Sequence, residues 1–205
     1  MWQRRRNNGL GSLGVTGVLV MSAALVSSCQ EKRGSFSVVS YGSEGEAERY
    51  YQDFGCGSFR ETGTEGTEIL LESREPIESK GGRILHQILY ARVFWRAVPG
   101  KTFVESSQIN AHLDYQLEVA EPPAPNVVSQ RPKQVICYKG SGFITFEVGR
   151  TGQAMRGVIE EAVLEPYGGA TDRRLGRLML NGTFDARRSA KPIADYQAAR
   201  NGNCG

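Results

Sequence analysis

Apolar and polar residues alternate without interruption from residue 109 to residue 119. The apolar positions are Ile109, Ala111, Leu113, Tyr115, Leu117 and Val119, and the polar positions between them are Asn110, His112, Asp114, Gln116 and Glu118. A period of two places the apolar set on one face of an extended chain. This segment is therefore predicted to be a β-strand with one buried and one solvated face.

A second strand is predicted upstream, where both faces of an extended chain would be apolar. Over 83–98, one face carries Leu85, Leu89, Ala91, Val93 and Trp95, and the other carries Ile84, Ile88, Tyr90 and Phe94. Two apolar faces are typical of a strand near the centre of a sheet. Residues 98–101 contain proline and glycine in a turn pattern, so 83–98 and 102–119 are predicted to form a long β-hairpin.

Shorter elements are predicted on both sides of this hairpin. A strand is expected at 35–41, whereas 44–54 is predicted to be a helix that ends at Gly55. Ser43 and Glu46 have capping-box spacing, and the apolar residues at 47, 50, 51 and 54 recur at helical intervals. Toward the C-terminus we expect strands at 134–138, 143–148, 153–164 and 178–184, with turns at 139–142 and 149–152. Pro192 is placed to open a short terminal helix, with Gly202 beyond it.

These elements predict a mainly β protein of the antiparallel class, with about seven or eight strands and one or two short helices. We prefer a β-sandwich, because the prolines in 121–125 interrupt the strands and divide them into two groups. A closed β-barrel is the alternative. Residues 35–205 are enough for one domain with its own core.

The first 28 residues have a different character. Arg4, Arg5 and Arg6 stand without acidic residues, 10–26 carries no charge, and Ser27 and Ser28 follow. A basic start, an apolar run and small residues form the layout of a secretory signal. We therefore predict that 1–28 is a cleaved export signal and that 29–34 is a short tether.

Leu25-Val26-Ser27-Ser28-Cys29 resembles the lipobox of bacterial lipoproteins, in which an aliphatic residue and two small residues precede an obligatory cysteine. The resemblance covers only 1–29, and Ser28 stands where glycine or alanine is commoner. It implies that Cys29 takes a diacylglycerol on its thiol and that the protein is held on a membrane by palmitate-type chains. In enterobacterial lipoproteins an aspartate after the cysteine signals inner-membrane retention. Gln30 stands there, so the outer membrane is expected where the organism has one.

Two other interpretations of this segment stay open. An uncleaved transmembrane anchor would need about 20 apolar residues, and the uncharged stretch is that long but rich in glycine and serine. Arg5-Arg6 would also fit a twin-arginine export signal, although Asn8 and Gly9 stand where that motif has a large apolar pair.

The charge of the chain argues against a nucleic acid partner. The full chain has 25 Lys and Arg against 22 Asp and Glu. The signal takes away three arginines and no acid, so the mature chain is left with 22 of each. A neutral domain lacks the basic footprint that nucleic-acid binding requires.

Three cysteines remain once Cys29 is lipidated. Exported proteins can form disulfides, but spacing alone does not fix the pairing. Cys56 lies between two glycines and Cys204 lies near the C-terminus, both loop-like positions. Cys137 falls in an apolar strand, where a free buried thiol is common. We therefore predict a Cys56–Cys204 disulfide.

No catalytic motif is found in the sequence. It carries neither a nucleophile elbow nor a phosphate-binding glycine loop before a helix. His112 and Asp114, two apart on the polar face of a predicted strand, are weak candidates for a metal or acid–base site. We prefer a solvated strand face, because one histidine and one aspartate are too few ligands for zinc. No cofactor is expected.

The predicted function is that of an envelope lipoprotein whose non-enzymatic β-domain binds or scaffolds a protein or polysaccharide partner. One alternative is a small hydrolase of envelope polymers, which would need a pocket uniting His112 or Asp114 with other acids. Another is a barrel that carries an apolar ligand, which would need an open cavity behind Trp95 and Leu113.

Overall fold

The computed structural model describes residues 34–41, 47–55, 57–64, 66–79, 82–96, 109–120, 133–168 and 176–204. The elements within them, in chain order, are β1 (Gly34–Tyr41), β2 (Ala47–Phe54), β3 (Gly57–Thr62), β4 (Gly66–Ser73), β5 (Ile77–Ser79), β6 (Gly82–Val93), β7 (Ala111–Ala120), β8 (Lys133–Val148), β9 (Ala154–Tyr167), β10 (Arg177–Arg188) and α1 (Ala190–Asn203). The predicted signal, Cys29, Cys56 and the proline-rich break at 121–125 lie outside the described residues.

Seven of these strands close into a barrel. β3, β4, β6, β7, β8, β9 and β10 pair in that order, and β10 also pairs with β3, which completes the ring. Each pairing in the ring is antiparallel except β10–β3, which is parallel over 186–188 and 57–59. The mainly β class is confirmed, but the sandwich is wrong and the barrel alternative holds. Because β10 pairs with both β9 and β3, the two groups of strands belong to one sheet.

A hairpin of β1 and β2 extends this sheet. β1 pairs with 177–184 of β10, and β3 pairs with the next stretch of the same edge. The helix predicted over 44–54 is wrong for 47–54, which form β2. Tyr50, Gln52 and Phe54 alternate into the interior. Because the inward residue Gln52 is polar, the apolar residues alone did not show the period of two.

β8 is one continuous strand of 16 residues, although the sequence predicted two strands and a turn at 139–142. The glycines at 140 and 142 are required by the pairing of β8 with β9 and not by a turn. A Cβ on Gly140 would lie 1.8 Å from the carbonyl oxygen of Val163 on β9. The register between β8 and β9 also shifts between Ser141 and Phe143. These glycines therefore mark a bulge and a close backbone approach instead of a turn.

The predicted hairpin of β6 and β7 is confirmed with shorter strands, paired over 83–93 and 111–120. Its residues 97–108 lie outside the part that the structure describes. Asn110 extends the pairing of β7 with β8 through its side chain. Its Nδ2 donates to the carbonyl oxygen of Ile144 at 2.7 Å, and the Ile144 amide donates to Asn110 Oδ1 at 2.7 Å. The side-chain amide thus takes the place of one more strand residue.

Apolar side chains fill the barrel interior. The buried cluster draws on β1, β2 and all seven ring strands, and its large fully buried members include Tyr115, Tyr138, Phe36, Phe54, Phe59 and Phe184. The turn at 149–152 is confirmed, as is a terminal helix with Pro192 in its first turn, although α1 extends through Gly202. No helix in the described ranges is long and apolar enough to cross a membrane.

Candidate functional site

Helix α1 lies on the outside of the barrel and covers part of its wall. The backbone amide of Ser189, just before the helix, donates to the carbonyl oxygen of Phe59 at 2.9 Å. Ile193 and Tyr196 then pack on Leu70 of β4 and Tyr90 of β6. The rings of Tyr90 and Tyr196 stand 5.2 Å apart. The outer face of β4 and β6 around Leu70 and Tyr90 is therefore an internal contact surface.

A charged network centred on Glu68 lies under the helix. The Glu68 carboxylate pairs with the Arg60 guanidinium and accepts hydrogen bonds from Tyr90 at 2.8 Å and Gln197 at 3.0 Å. Arg60 also donates to Gln197 at 2.8 Å. Burial alone would raise the pKa of Glu68, but these donors and the Arg60 charge outweigh it and hold that pKa below 4.5. Burial and the neighbouring carboxylate raise the pKa of Tyr90 to about 12, so its hydroxyl is a donor at neutral pH.

The helix also divides the polar face of β7. His112 is exposed and contacts Phe94, with ring centroids 5.2 Å apart and ring planes tilted by 40°. Asp114 is 8 % exposed and its Oδ1 lies 2.8 Å from Nη2 of Arg200 on α1. Burial raises the pKa of Asp114, although Arg200 opposes that rise. The prediction of a solvated polar face therefore holds at His112 but is wrong at Asp114 and at Gln116, which is also buried.

The two weak metal candidates are not brought together with further ligands. Across the part of the chain that the structure describes, no group of three or more His, Cys, Asp or Glu side chains is placed to share a metal ion. His86 lies between two carboxylates: its Nε2 is 2.8 Å from Glu72 Oε1 and its Nδ1 is 3.8 Å from Glu118 Oε2. Both ring nitrogens of His86 thus face carboxylates, an arrangement that orients the imidazole.

The disulfide joins Cys137 of β8 to Cys204 at the end of α1. The predicted Cys56–Cys204 pairing is therefore wrong. Cys137 sits at an outward position between the inward residues Ile136 and Tyr138, and α1 crosses the wall to meet it. Its apolar neighbours suggested a free buried thiol, but it is α1 that buries it. The disulfide ties the helix to the barrel at the end opposite Ser189.

A polar cluster lies inside the barrel and was not predicted from the sequence. Gln52 donates to Ser73 at 2.5 Å, Gln87 donates to Gln52 at 2.5 Å, and the Tyr115 hydroxyl donates to Gln87. These bonds connect β2 to β4, β6 and β7, although β2 shares a ladder only with β1 among the described strands. The available signal was glutamine at inward positions of two strands. Because the groups bond to one another, the cluster serves to hold the hairpin in place.

An open groove runs along the outer face of β1, β9 and β10, away from α1. It consists of two adjoining hollows of about 430 and 330 Å³. Arg156 and Asp185 line both, and Arg156 Nε lies 3.0 Å from Asp185 Oδ1. The remaining lining includes Ser35, Asp53, Thr183, Glu147 and Arg187. Such a surface offers charged and polar groups of both signs to a polar, extended ligand.

Comparisons with known proteins give no relative. No family model matches the chain, no curated protein matches it, and no solved structure matches it. Function therefore rests on the residues of this chain.

Replacing Glu68 by glutamine should remove a pH-dependent part of the stability. Because the folded-state pKa of Glu68 is lowered, its contribution is present above the unfolded value of 4.5 and is lost as the pH falls through the folded-state value. We expect Glu68→Gln to cost about 2 kcal/mol at neutral pH and less in acid. Urea unfolding across this pH range measures the difference.

The matched control is Glu160→Gln, which removes an exposed carboxylate from β9. It should leave the free energy of unfolding nearly unchanged. An equal cost of Glu68→Gln at neutral and acid pH would contradict the role assigned to the charged network.

Proposed function

We propose that this protein is a lipid-anchored protein of the bacterial envelope whose barrel binds or scaffolds a partner through its outer surface. The observation that carries the proposal is the packed interior. Inward side chains from every ring strand fill the space that a carried ligand would need, among them Leu113, Tyr115 and Phe184. The packing supports a rigid scaffold over a carrier of apolar ligands.

The anchor is supported by the first 29 residues. Three arginines, an uncharged run and two serines lead directly to Cys29. Five residues later, at Gly34, the chain enters β1. A tether of that length spans at most about 17 Å, so lipid on Cys29 would hold the barrel against the membrane surface.

The contacts of His112 and Asp114 favour binding over hydrolysis as the role of this domain. His112 contacts the ring of an exposed phenylalanine, and Asp114 is paired with Arg200 under the helix. Among the described residues, neither side chain belongs to a group of three or more His, Cys, Asp or Glu side chains that could share a metal ion. The groove at Arg156 and Asp185 is the better place for a partner, because it is open and lined by polar groups.

Metabolic labelling with a palmitate analogue tests the anchor. The wild type should take up the label and Cys29→Ala should not, because the thiol is the acceptor. Cys56→Ala is the matched control and should be labelled like the wild type. Equal labelling of the wild type and Cys29→Ala would refute the anchor.

Affinity purification from the native envelope tests the binding role. The wild type should retain a partner that Arg156→Glu loses, because reversing this charge breaks the pair with Asp185 and alters both hollows. Arg177→Glu is the control, since Arg177 is exposed and pairs with Glu165 outside the groove. Retention of the same partner by both variants would remove the groove from the proposal.

A further inference from the structure

The two ends of the barrel are set by its connections. Successive ring strands run in opposite directions, so the connections alternate between the ends. The β3–β4 turn, residues 94–96 and 109–110 between β6 and β7, and the turn at 149–153 all belong to one end, here called the lower end. The upper end is the other one, at Tyr41 of β1 and Arg177 of β10.

We infer that the lower end of the barrel rests on an anionic lipid surface. This inference rests on the proposed lipid anchor and adds the orientation and the contact surface. Three independent observations support it: the point where the chain enters the barrel, the apolar side chains exposed at the lower end, and the charge of its rim.

The point of entry places the anchor nearer to one end of the barrel. Gly34 is opposite Phe184 on β10, and Tyr41 is opposite Arg177. From Phe184, the lower terminus of β10 at Arg188 is about 13 Å away, and the upper terminus at Arg177 is about 23 Å away. The tether from Cys29 spans at most about 17 Å. Because barrel strands tilt by about 35–45° to the barrel axis, both distances are shorter along that axis. The lipid therefore reaches the plane of the lower end with chain to spare, whereas the upper end lies near the limit of the tether.

Large apolar side chains are exposed at the lower end. Phe94 is 44 % exposed and Ile109 is 47 % exposed. Trp95 donates from Nε1 to the carbonyl oxygen of Ile109 and packs edge-on against Phe143. Tryptophan beside exposed aromatic and aliphatic residues is the composition that inserts at the boundary of headgroups and acyl chains.

The rim of the lower end is basic. We take the rim as the last two residues of each ring strand at this end, together with the described residues that connect the strands. Its arginines outnumber its acids, with Arg92, Arg96, Arg150, Arg187 and Arg188 against Glu61 and Glu147. Clustered arginines close to an apolar patch are attracted to anionic headgroups.

Trp95 makes the orientation measurable, because the chain has two tryptophans and the other, Trp2, lies in the predicted signal. A Trp2→Phe background leaves Trp95 as the sole tryptophan whether or not the signal is cut. The full, lipidated protein would be reconstituted into vesicles of phosphatidylcholine and phosphatidylglycerol. Brominated lipids in a parallel sample quench any tryptophan that contacts the membrane.

The expected result is a loss of Trp95 emission in the brominated vesicles, larger with phosphatidylglycerol than with phosphatidylcholine alone. The control carries Trp95→Phe and Tyr41→Trp in the same background, which moves the reporter to an exposed position at the upper end. Its emission should be unchanged by bromination.

Flotation of the same samples separates the two proposals. Protein that floats with the vesicles while Trp95 stays unquenched would overturn the docking surface and leave the anchor intact. Quenching at both positions would also overturn it, because the barrel would then lie on its side. Protein that fails to float would overturn the anchor itself.

Discussion

Replacing Cys137 and Cys204 together by alanine should lower the free energy of unfolding by about 4 kcal/mol. The two cysteines are separated by 67 residues, so the bond closes a long loop that includes β9, β10 and α1. The bond restricts the unfolded chain, and its loss returns that conformational entropy. Urea unfolding followed by fluorescence measures the loss, and the slope of the transition should rise because the unfolded chain expands.

The native bond can also be removed without mutation. A dithiol reductant should give the wild type the stability of the double variant and should not change the double variant further. Cys56→Ala is the control, because its thiol is not in this bond. A loss below about 1 kcal/mol in the double variant would contradict the assigned pairing.

Gly140→Ala should prevent stable folding, with an expected cost of more than about 4 kcal/mol. The added Cβ would lie 1.8 Å from the carbonyl oxygen of Val163 and 2.8 Å from Cα of Leu164. Both are backbone atoms of a paired strand, so no side-chain rotation relieves the clash. β8 and β9 would have to separate where the barrel wall depends on them. Circular dichroism and the thermal midpoint of purified protein measure the effect.

The matched control is Gly149→Ala, just past the end of the same strand. The nearest atom to its added Cβ is 3.4 Å away, close to an ordinary contact. Its thermal midpoint should stay near that of the wild type. A Gly140→Ala variant that melts like the wild type would show that β8 and β9 do not pair in the described register.

The strands that pack apolar residues against the core could be predicted from the sequence. The alternation over 109–119 corresponds to β7 from Ala111 onward, although Ile109 is exposed, and Leu178, Leu180 and Phe184 are all buried on β10. Such patterns are local, because a period of two needs no information from elsewhere in the chain. The helix predicted over 44–54 is wrong at 47–54 because a local pattern does not show distant partners. Gln52 turns inward to partners on β4 and β6 that lie far away in sequence.

Closure of the sheet and the site residues could not be predicted in this way. Whether β10 pairs with one strand or with several depends on contacts distant in sequence. The outward residues Asp114 and Cys137 look like a solvated carboxylate and a core thiol until α1 is placed on them. The buried apolar side chains of α1 are Ile193 and Tyr196. Two such residues do not indicate in the sequence which surface of the barrel the helix covers.

The position of β10 also sets the order in which the domain can be completed. During synthesis β1 and β2 can form a hairpin early. One edge of β1, one edge of β3 and one edge of β9 have to wait for their partner, because all three pair with residues 177–188 of β10. Three open strand edges must therefore persist until nearly the whole domain has emerged. Such edges pair readily with other chains, so a holding chaperone should matter more for this protein than for a barrel closed by its first and last strands alone.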